Sequence, residues 1–266
     1  MNARVFGNED GETVVLAHGY GGTRFIWDDV APALAATFRV VVFDWSFSGA
    51  ATNKNGGGEG YCCSYYGLAD ELAALMDELG VRRAAFVGHS MAGMIGCIAS
   101  IARPDLFSHL VLVGASPRYI NEDGYEGGFE PADVDVMLAA AGADFAAWAP
   151  RFAEAVVGPG HPSAVARFAK QLGSMRPDAA VAVLRAVLTS DLRAVLPGVA
   201  ARCTIVHCAR DAVAPLAVAR YMQRALAGCG GGSGADTVVI ESSGHFPQLT
   251  APKEFVRVLE TVLLDH

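Results

Sequence analysis

Residues Ala84-Ala85-Phe86-Val87-Gly88-His89-Ser90-Met91-Ala92-Gly93 constrain the fold more than any other stretch of this chain. They read as a short apolar strand that runs straight into a serine flanked by very small residues. Such a turn forces the serine into a strained backbone conformation at a strand-to-helix junction. Only small neighbours fit there, and the hydroxyl is left exposed at the top of a sheet. The pattern departs from Gly-x-Ser-x-Gly at one position, because Ala92 replaces the last Gly and Gly93 follows it. Ala is small enough for the same packing. A plain Gly/Ser turn before a helix shares part of this pattern, so the reading needs support from the rest of the chain.

The chain has 266 residues, which suits one α/β domain or a domain with an inserted subdomain. Hydrophobic residues make up 52%, enough for a large core. The net charge is −8, and no Lys/Arg cluster appears, which argues against a nucleic-acid partner. Six cysteines sit at 62, 63, 97, 203, 208 and 229 without the spacing of a disulfide framework, which suits a reducing compartment. Cys203, His207 and Cys208 fall on one predicted buried strand, where His207 and Cys208 face opposite sides. They read as core rather than a metal site, and no metal is expected. The first twelve residues lack the apolar stretch of a secretory signal, so a soluble protein inside the cell is expected. Residues 84–102 carry no formal charge and are long enough to span a bilayer. Gly88, His89, Ser90 and Gly93 in their first half favour a strand, a sharp turn and a buried helix instead.

Apolar, β-rich runs recur at 13–17, 39–44, 84–87, 110–114, 203–208 and 237–240. They are nearly continuous in hydrophobicity, as strands buried on both faces of a parallel sheet are. Helical patterns lie between them at 65–79, 91–102, 215–226 and 252–264. This alternation predicts an α/β fold with an open, doubly wound, mostly parallel sheet. It stops between Pro117 and Asp191, where helical patterns at 131–141, 143–156, 162–172 and 177–188 are separated by Gly, Pro and Ser. That stretch reads as a lid over the carboxyl edge of the sheet, where Ser90 emerges. The expected division is a core of residues 1–116 and 191–266 with a lid of residues 117–190. Two glycine-rich pieces, 56–60 and 228–234, read as surface loops. Neither carries the Lys-Ser/Thr of a phosphate loop. Gly19-Tyr20-Gly21-Gly22 lacks the third glycine of a dinucleotide site, so no cofactor is expected.

A serine hydroxyl needs a base to take its proton, and the base needs an orienting carboxylate. In α/β-hydrolases these follow in the order Ser, acid, His. His245, in Ser242-Ser243-Gly244-His245-Phe246-Pro247, lies just beyond the last predicted strand and can reach back over the sheet. His109 begins a strand, His161 is in the lid, His207 lies within a strand and His266 is terminal. His89 adjoins the serine, but its side chain is expected to point away. Asp211 directly follows the strand ending at Cys208 and is the chosen acid. Asp191 is the alternative and reads better as a helix cap. Charge developing on a carbonyl oxygen must meet fixed donors. The Met91 N–H follows the nucleophile directly, and the Tyr20 N–H comes from the loop after the first strand.

With those residues in place, the chain resembles the strigolactone and karrikin receptor family of plant α/β-hydrolases. The pieces that carry the likeness include His18-Gly19-Tyr20-Gly21, Gly88-His89-Ser90, Ala115-Ser116-Pro117-Arg118-Tyr119, Gly127-Gly128-Phe129-Glu130, Met175-Arg176-Pro177 and Gly244-His245-Phe246-Pro247-Gln248. Asp44-Trp45-Ser46-Phe47-Ser48-Gly49 looks closest to the DWARF-fourteen-like paralogues, the second of that series. The resemblance implies an α/β-hydrolase fold with a V-shaped lid of four helices after the sixth strand of the fold. It implies a Ser90-Asp211-His245 triad with Tyr20 and Met91 as oxyanion donors. It also implies a pocket lined by Tyr119, Phe129, Trp148, Phe152, Leu188 and Val213. The implied function is binding and slow hydrolysis of a butenolide or small ester, by a monomer in cytoplasm and nucleus. A ligand receptor with vestigial chemistry, signalling to an F-box protein and a repressor, is the implied alternative. Three residues depart from the family pattern. Tyr20 stands where Phe is usual, Leu188 stands where Phe is common and should widen or reshape the cavity, and Arg151 neighbours Phe152. The lengthened loop at 228–234 should cost under ~1 kcal/mol in closure entropy.

Overall fold

The structure is a computed structural model that describes residues 1–49, 64–227 and 234–264. The glycine-rich piece 56–60, residues 228–233 of the second one, Cys62, Cys63, Cys229 and His266 lie outside the described residues. The chain opens with β1 (Arg4–Gly7), β2 (Thr13–Ala17), the short helix α1 (Ala31–Leu34) and β3 (Arg39–Val42). Then come α2 (Tyr65–Glu78), β4 (Ala84–His89), α3 (Met91–Ala102) and β5 (Phe107–Val113). Four helices follow: α4 (Pro131–Ala143), α5 (Phe145–Val157), α6 (Pro162–Leu172) and α7 (Pro177–Thr189). The chain then adds β6 (Arg202–Arg210), α8 (Leu216–Ala225), β7 (Asp236–Ser243), α9 (Pro247–Thr250) and α10 (Pro252–Leu264).

Among the described residues the strands form one seven-stranded sheet in the order β1-β3-β2-β4-β5-β6-β7. All neighbours run parallel except β1, which pairs antiparallel with β3. The interior strands are apolar because helices cover both faces: Val14 to Ala17 and Ala84 to Val87 are all buried. Each large side chain buried this way, such as Phe86 or Leu16, contributes about 1.5–3 kcal/mol. The edge strands obey a different rule. All four residues of β1 are exposed, and β7 buries only two of its eight. With no buried face, Arg-Val-Phe-Gly carries no run or alternation to read, and nothing in its pattern hints at β1.

Residues 84–102 form a strand, a one-residue turn at Ser90 and a helix. No helix among the described residues is long and apolar enough to cross a membrane. Proline at the first turn starts α4, α6 and α7, where its missing N–H costs nothing. The Asp144 carboxylate starts α5 by accepting the Ala147 N–H at 3.0 Å. In the described chain these four helices follow the fifth strand. α4 packs on α7, and α5 packs on α6.

Candidate active site

Parallel strands end at the same edge of a sheet, so a strand order of β4-β5-β6-β7 collects the loops after β4, β6 and β7 in one region. Ser90 follows β4 with φ 57° and ψ −125°, a region that disfavours any side chain. The surroundings hold it there. Its N–H donates to the Val113 carbonyl at 2.8 Å, and a side chain at Gly88 would meet the Gly93 nitrogen at 2.7 Å. Strand β4 therefore turns into α3 within one residue.

Asp211 follows β6 and His245 follows β7. The His245 Nδ1–H donates to Asp211 Oδ2 at 2.7 Å, and Nε2 accepts from the Ser90 hydroxyl at 2.8 Å. The other carboxylate oxygen, Oδ1, accepts the Val213 and Ala214 N–H groups at 2.8 and 3.1 Å. Burial opposes the charge on Asp211, but the His245 ring, its hydrogen bond and the backbone donors hold the carboxyl below the usual range. Between these strands lies Gly114, at φ 55° after β5. A side chain there would come within 3.2 Å of the His245 ring and 3.4 Å of Asp211 Oδ2. Glycine keeps the path across β5 open.

The His245 backbone is clamped from both sides. Its N–H donates to the Val156 carbonyl on α5 at 2.8 Å, and its carbonyl accepts His89 Nε2–H at 2.9 Å. The expectation that His89 simply points away from the serine is too plain. Its buried ring turns toward the loop after β7, 4.9 Å from the His245 ring and 4.6 Å from Phe246. His18 organises the loop after β2: its Nδ1–H donates to the Gly19 carbonyl at 2.8 Å, and Nε2 accepts from the Ser48 hydroxyl at 3.2 Å. Burial lowers His18 from 6.5 to about 4 and His89 to about 3, so both rings are neutral.

That neutrality has a sign. Between the folded and ordinary values the unfolded chain binds protons that the folded chain refuses. The contribution of these rings is therefore complete above pH 6.5 and lost as the pH falls toward about 4 and 3. Asp211 adds a second loss, as the pH falls below the ordinary carboxyl value of 3.8. The urea midpoint is expected to drop when the pH goes from about 7 to about 5, where only the histidines contribute. An unchanged midpoint across that interval would contradict the buried, neutral assignment.

The remaining candidates separate clearly. Tyr119 lies beside the nucleophile, its hydroxyl 3.3 Å from Ser90 Oγ. Tyr20, Phe129, Phe152, Leu188 and Val213 line a cavity with Ser90 and His245. Trp148 does not line it: it stacks on Phe152 at 4.6 Å and meets the tilted ring of Phe145 at 5.8 Å, supporting the pocket wall from outside. Beside His89, the side chains of Met137, Val156, Leu184, Val187 and Phe246 complete the wall. They read as ordinary core positions, because a helix period does not say which buried residue meets a void. The cavity measures about 30 Å³, with Leu188 in its wall. Met91 is the first residue of α3, where a backbone N–H has no acceptor within its helix.

Asp191 lies elsewhere, paired with Arg118 at 2.9 Å and Arg193 at 2.6 Å. It accepts the Arg193 N–H beside a short helix that Leu192 caps. His109 meets Thr204 within the sheet, His161 precedes α6, and His207 Nε2–H donates to the Ala214 carbonyl at 2.7 Å. Cys203 and Cys208 are buried on β6, and burial pushes the Cys208 thiol up to about 12.

A parallel sheet with a strained serine at one strand end, a histidine and an aspartate beyond two others, defines an α/β-hydrolase, and the profile of the Alpha/beta hydrolase family matches residues 14–258. A hydrolase from Oleispira antarctica shares the fold, with a TM-score of 0.92 over 99% of this chain and 94% of its own at 24% identity. The chain is 41% identical to a probable esterase of Oryza sativa subsp. japonica, over 97% of this chain and 93% of the relative. It is 40% identical to "Karrikin insensitive 2 receptor CA" of Petunia hybrida over the same shares. It is 37% identical to "Strigolactone esterase D14" of Arabidopsis thaliana, over 99% of this chain and 96% of the relative. The chain belongs to the strigolactone and karrikin receptor family of plant α/β-hydrolases.

Proposed function

We propose that this chain is a serine esterase whose substrate is a butenolide or another small ester. The observation that carries this is the hydrogen-bonded series from Ser90 through His245 to Asp211, at 2.8 and 2.7 Å. As Ser90 Oγ attacks the ester carbonyl carbon, His245 Nε2 takes its proton. Asp211 holds Nδ1–H and stabilises the imidazolium. The backbone N–H groups of Tyr20 and Met91 receive the carbonyl oxygen as it gains charge. The imidazolium then protonates the departing oxygen. Water, deprotonated by the same nitrogen, releases the acid and restores the serine. This chemistry uses side chains and backbone alone.

Residues 117–190 act as a V-shaped lid on the core formed by the remainder. Phe152, Leu184 and Leu188 of residues 117–190 wall the cavity beside Ser90, and the lid opens before substrate enters and closes around it. Such gating suits slow turnover. Relatives are called both esterase and receptor, which supports one pocket serving hydrolysis and perception. Docking of an F-box protein and a repressor on the lid, a monomeric state, and residence in cytoplasm and nucleus belong to the same reading. The motif at residues 44–49 supports the second DWARF-fourteen-like branch. The test is release of a fluorophore from a butenolide ether or ester by the wild-type chain. Many turnovers per chain are expected; no release, or release that stops before one equivalent, would contradict an esterase.

A further inference from the structure

The cavity beside Ser90 is walled mainly by apolar side chains, yet two phenols enter its lining. Tyr119 spends its hydroxyl on Ser90 Oγ at 3.3 Å. The Tyr20 hydroxyl is buried and has no hydrogen-bond partner. A buried donor left unpaired costs about 1–3 kcal/mol, and a phenylalanine would fill the same space without that cost. The ring already has its packing, edge-to-face on Phe152 with centroids 6.0 Å apart. Burial also holds this phenol well above its ordinary value, so it remains an O–H donor at any working pH.

We infer that the Tyr20 hydroxyl is a specificity group that selects esters carrying a second, acceptor oxygen away from the scissile carbonyl. This assignment rests on the esterase reading above. The scissile carbonyl oxygen faces backbone N–H groups, and the Tyr20 hydroxyl stands a phenol ring's length from its own backbone N–H. It therefore meets another part of the ligand, against Phe152 on α5. The fitting chemistry is an ether, lactone or hydroxyl oxygen. A purely hydrocarbon acyl chain leaves the donor unpaired, and the site discriminates against it.

Three matched pairs of methylumbelliferyl esters test this: methoxyacetate with butanoate, methoxypropanoate with pentanoate, and methoxybutanoate with hexanoate. Each pair replaces one methylene by oxygen at a different distance from the carbonyl. In at least one pair, Tyr20→Phe is expected to lower kcat/KM for the ether ester about three- to tenfold more than for its hydrocarbon partner. The change should fall on KM, because the contact is present in ground and transition states alike. A second arm measures ligand-induced Tm shifts in Ser90→Ala, where the Phe replacement should erase the advantage of the ether. Equal ratios in all three pairs, with wild-type turnover intact, overturn the Tyr20 assignment alone. No wild-type turnover of any ester overturns the esterase reading and this assignment with it.

Discussion

Ser90→Ala is expected to lower kcat for ester hydrolysis by about 10⁴–10⁶-fold while leaving the chain folded. The oxygen that His245 Nε2 meets at 2.8 Å is the one atom removed, and a methyl group cannot attack in its place. Alanine keeps the Cβ and so keeps the strained φ of 57°, which makes the stability change small. Ser90→Gly separates the two effects. It should lose activity equally but gain stability, because glycine adopts that backbone without strain. Parallel kinetics and thermal denaturation on the two variants read this out. Residual kcat within tenfold of wild type in either variant would exclude Ser90 as the nucleophile.

Asp211→Asn should cost about 10⁴-fold in kcat, with little effect on KM or on folding. The reason lies in how the carboxylate is already committed. Oδ1 accepts two backbone N–H groups, from Val213 and Ala214, so the amide oxygen of an asparagine must take that position. Its NH₂ then faces His245 Nδ1, 2.7 Å away in the native arrangement. A donor facing a donor is unfavourable, so the imidazole gives up its Nδ1 proton and carries it on Nε2. A protonated Nε2 cannot accept from the Ser90 hydroxyl. The lost rate is therefore a tautomer effect. Activity of Asp211→Asn near the wild-type level would mean that the acid is not needed to orient the base.

Much of this is written in the chain because particular residues have few alternatives. Proline starts α4, α6 and α7 where it stands, and the helical starts at 131, 162 and 177 follow directly. Ser90 needs small neighbours, and Gly88 and Ala92 supply them. Asp211 and His245 each lie just beyond an apolar run, 203–208 and 237–240, which puts both at one edge once the strands are parallel. What is not legible depends on through-space direction. Nothing in Gly114 announces that its missing side chain lets His245 and Asp211 meet across β5. His89 turns toward the His245 carbonyl because the loop after β7 folds down beside the elbow, a tertiary fact. Trp148 and Phe152 are four residues apart on one helix face. Only packing decides that Phe152 meets the cavity and Trp148 stacks behind it. β1 is invisible for another reason: an edge strand with four exposed residues leaves no hydrophobic pattern.

The reactivity of one alcohol can be read directly. The native protein is incubated with a fluorophosphonate, and the modified peptide is sequenced by mass spectrometry. The expected outcome is a single adduct on Ser90, at least a hundredfold slower to form once His245 is changed to Ala. Labelling at another serine, or labelling of Ser90 at an unchanged rate without the imidazole, would contradict an oxygen activated by His245 and Asp211.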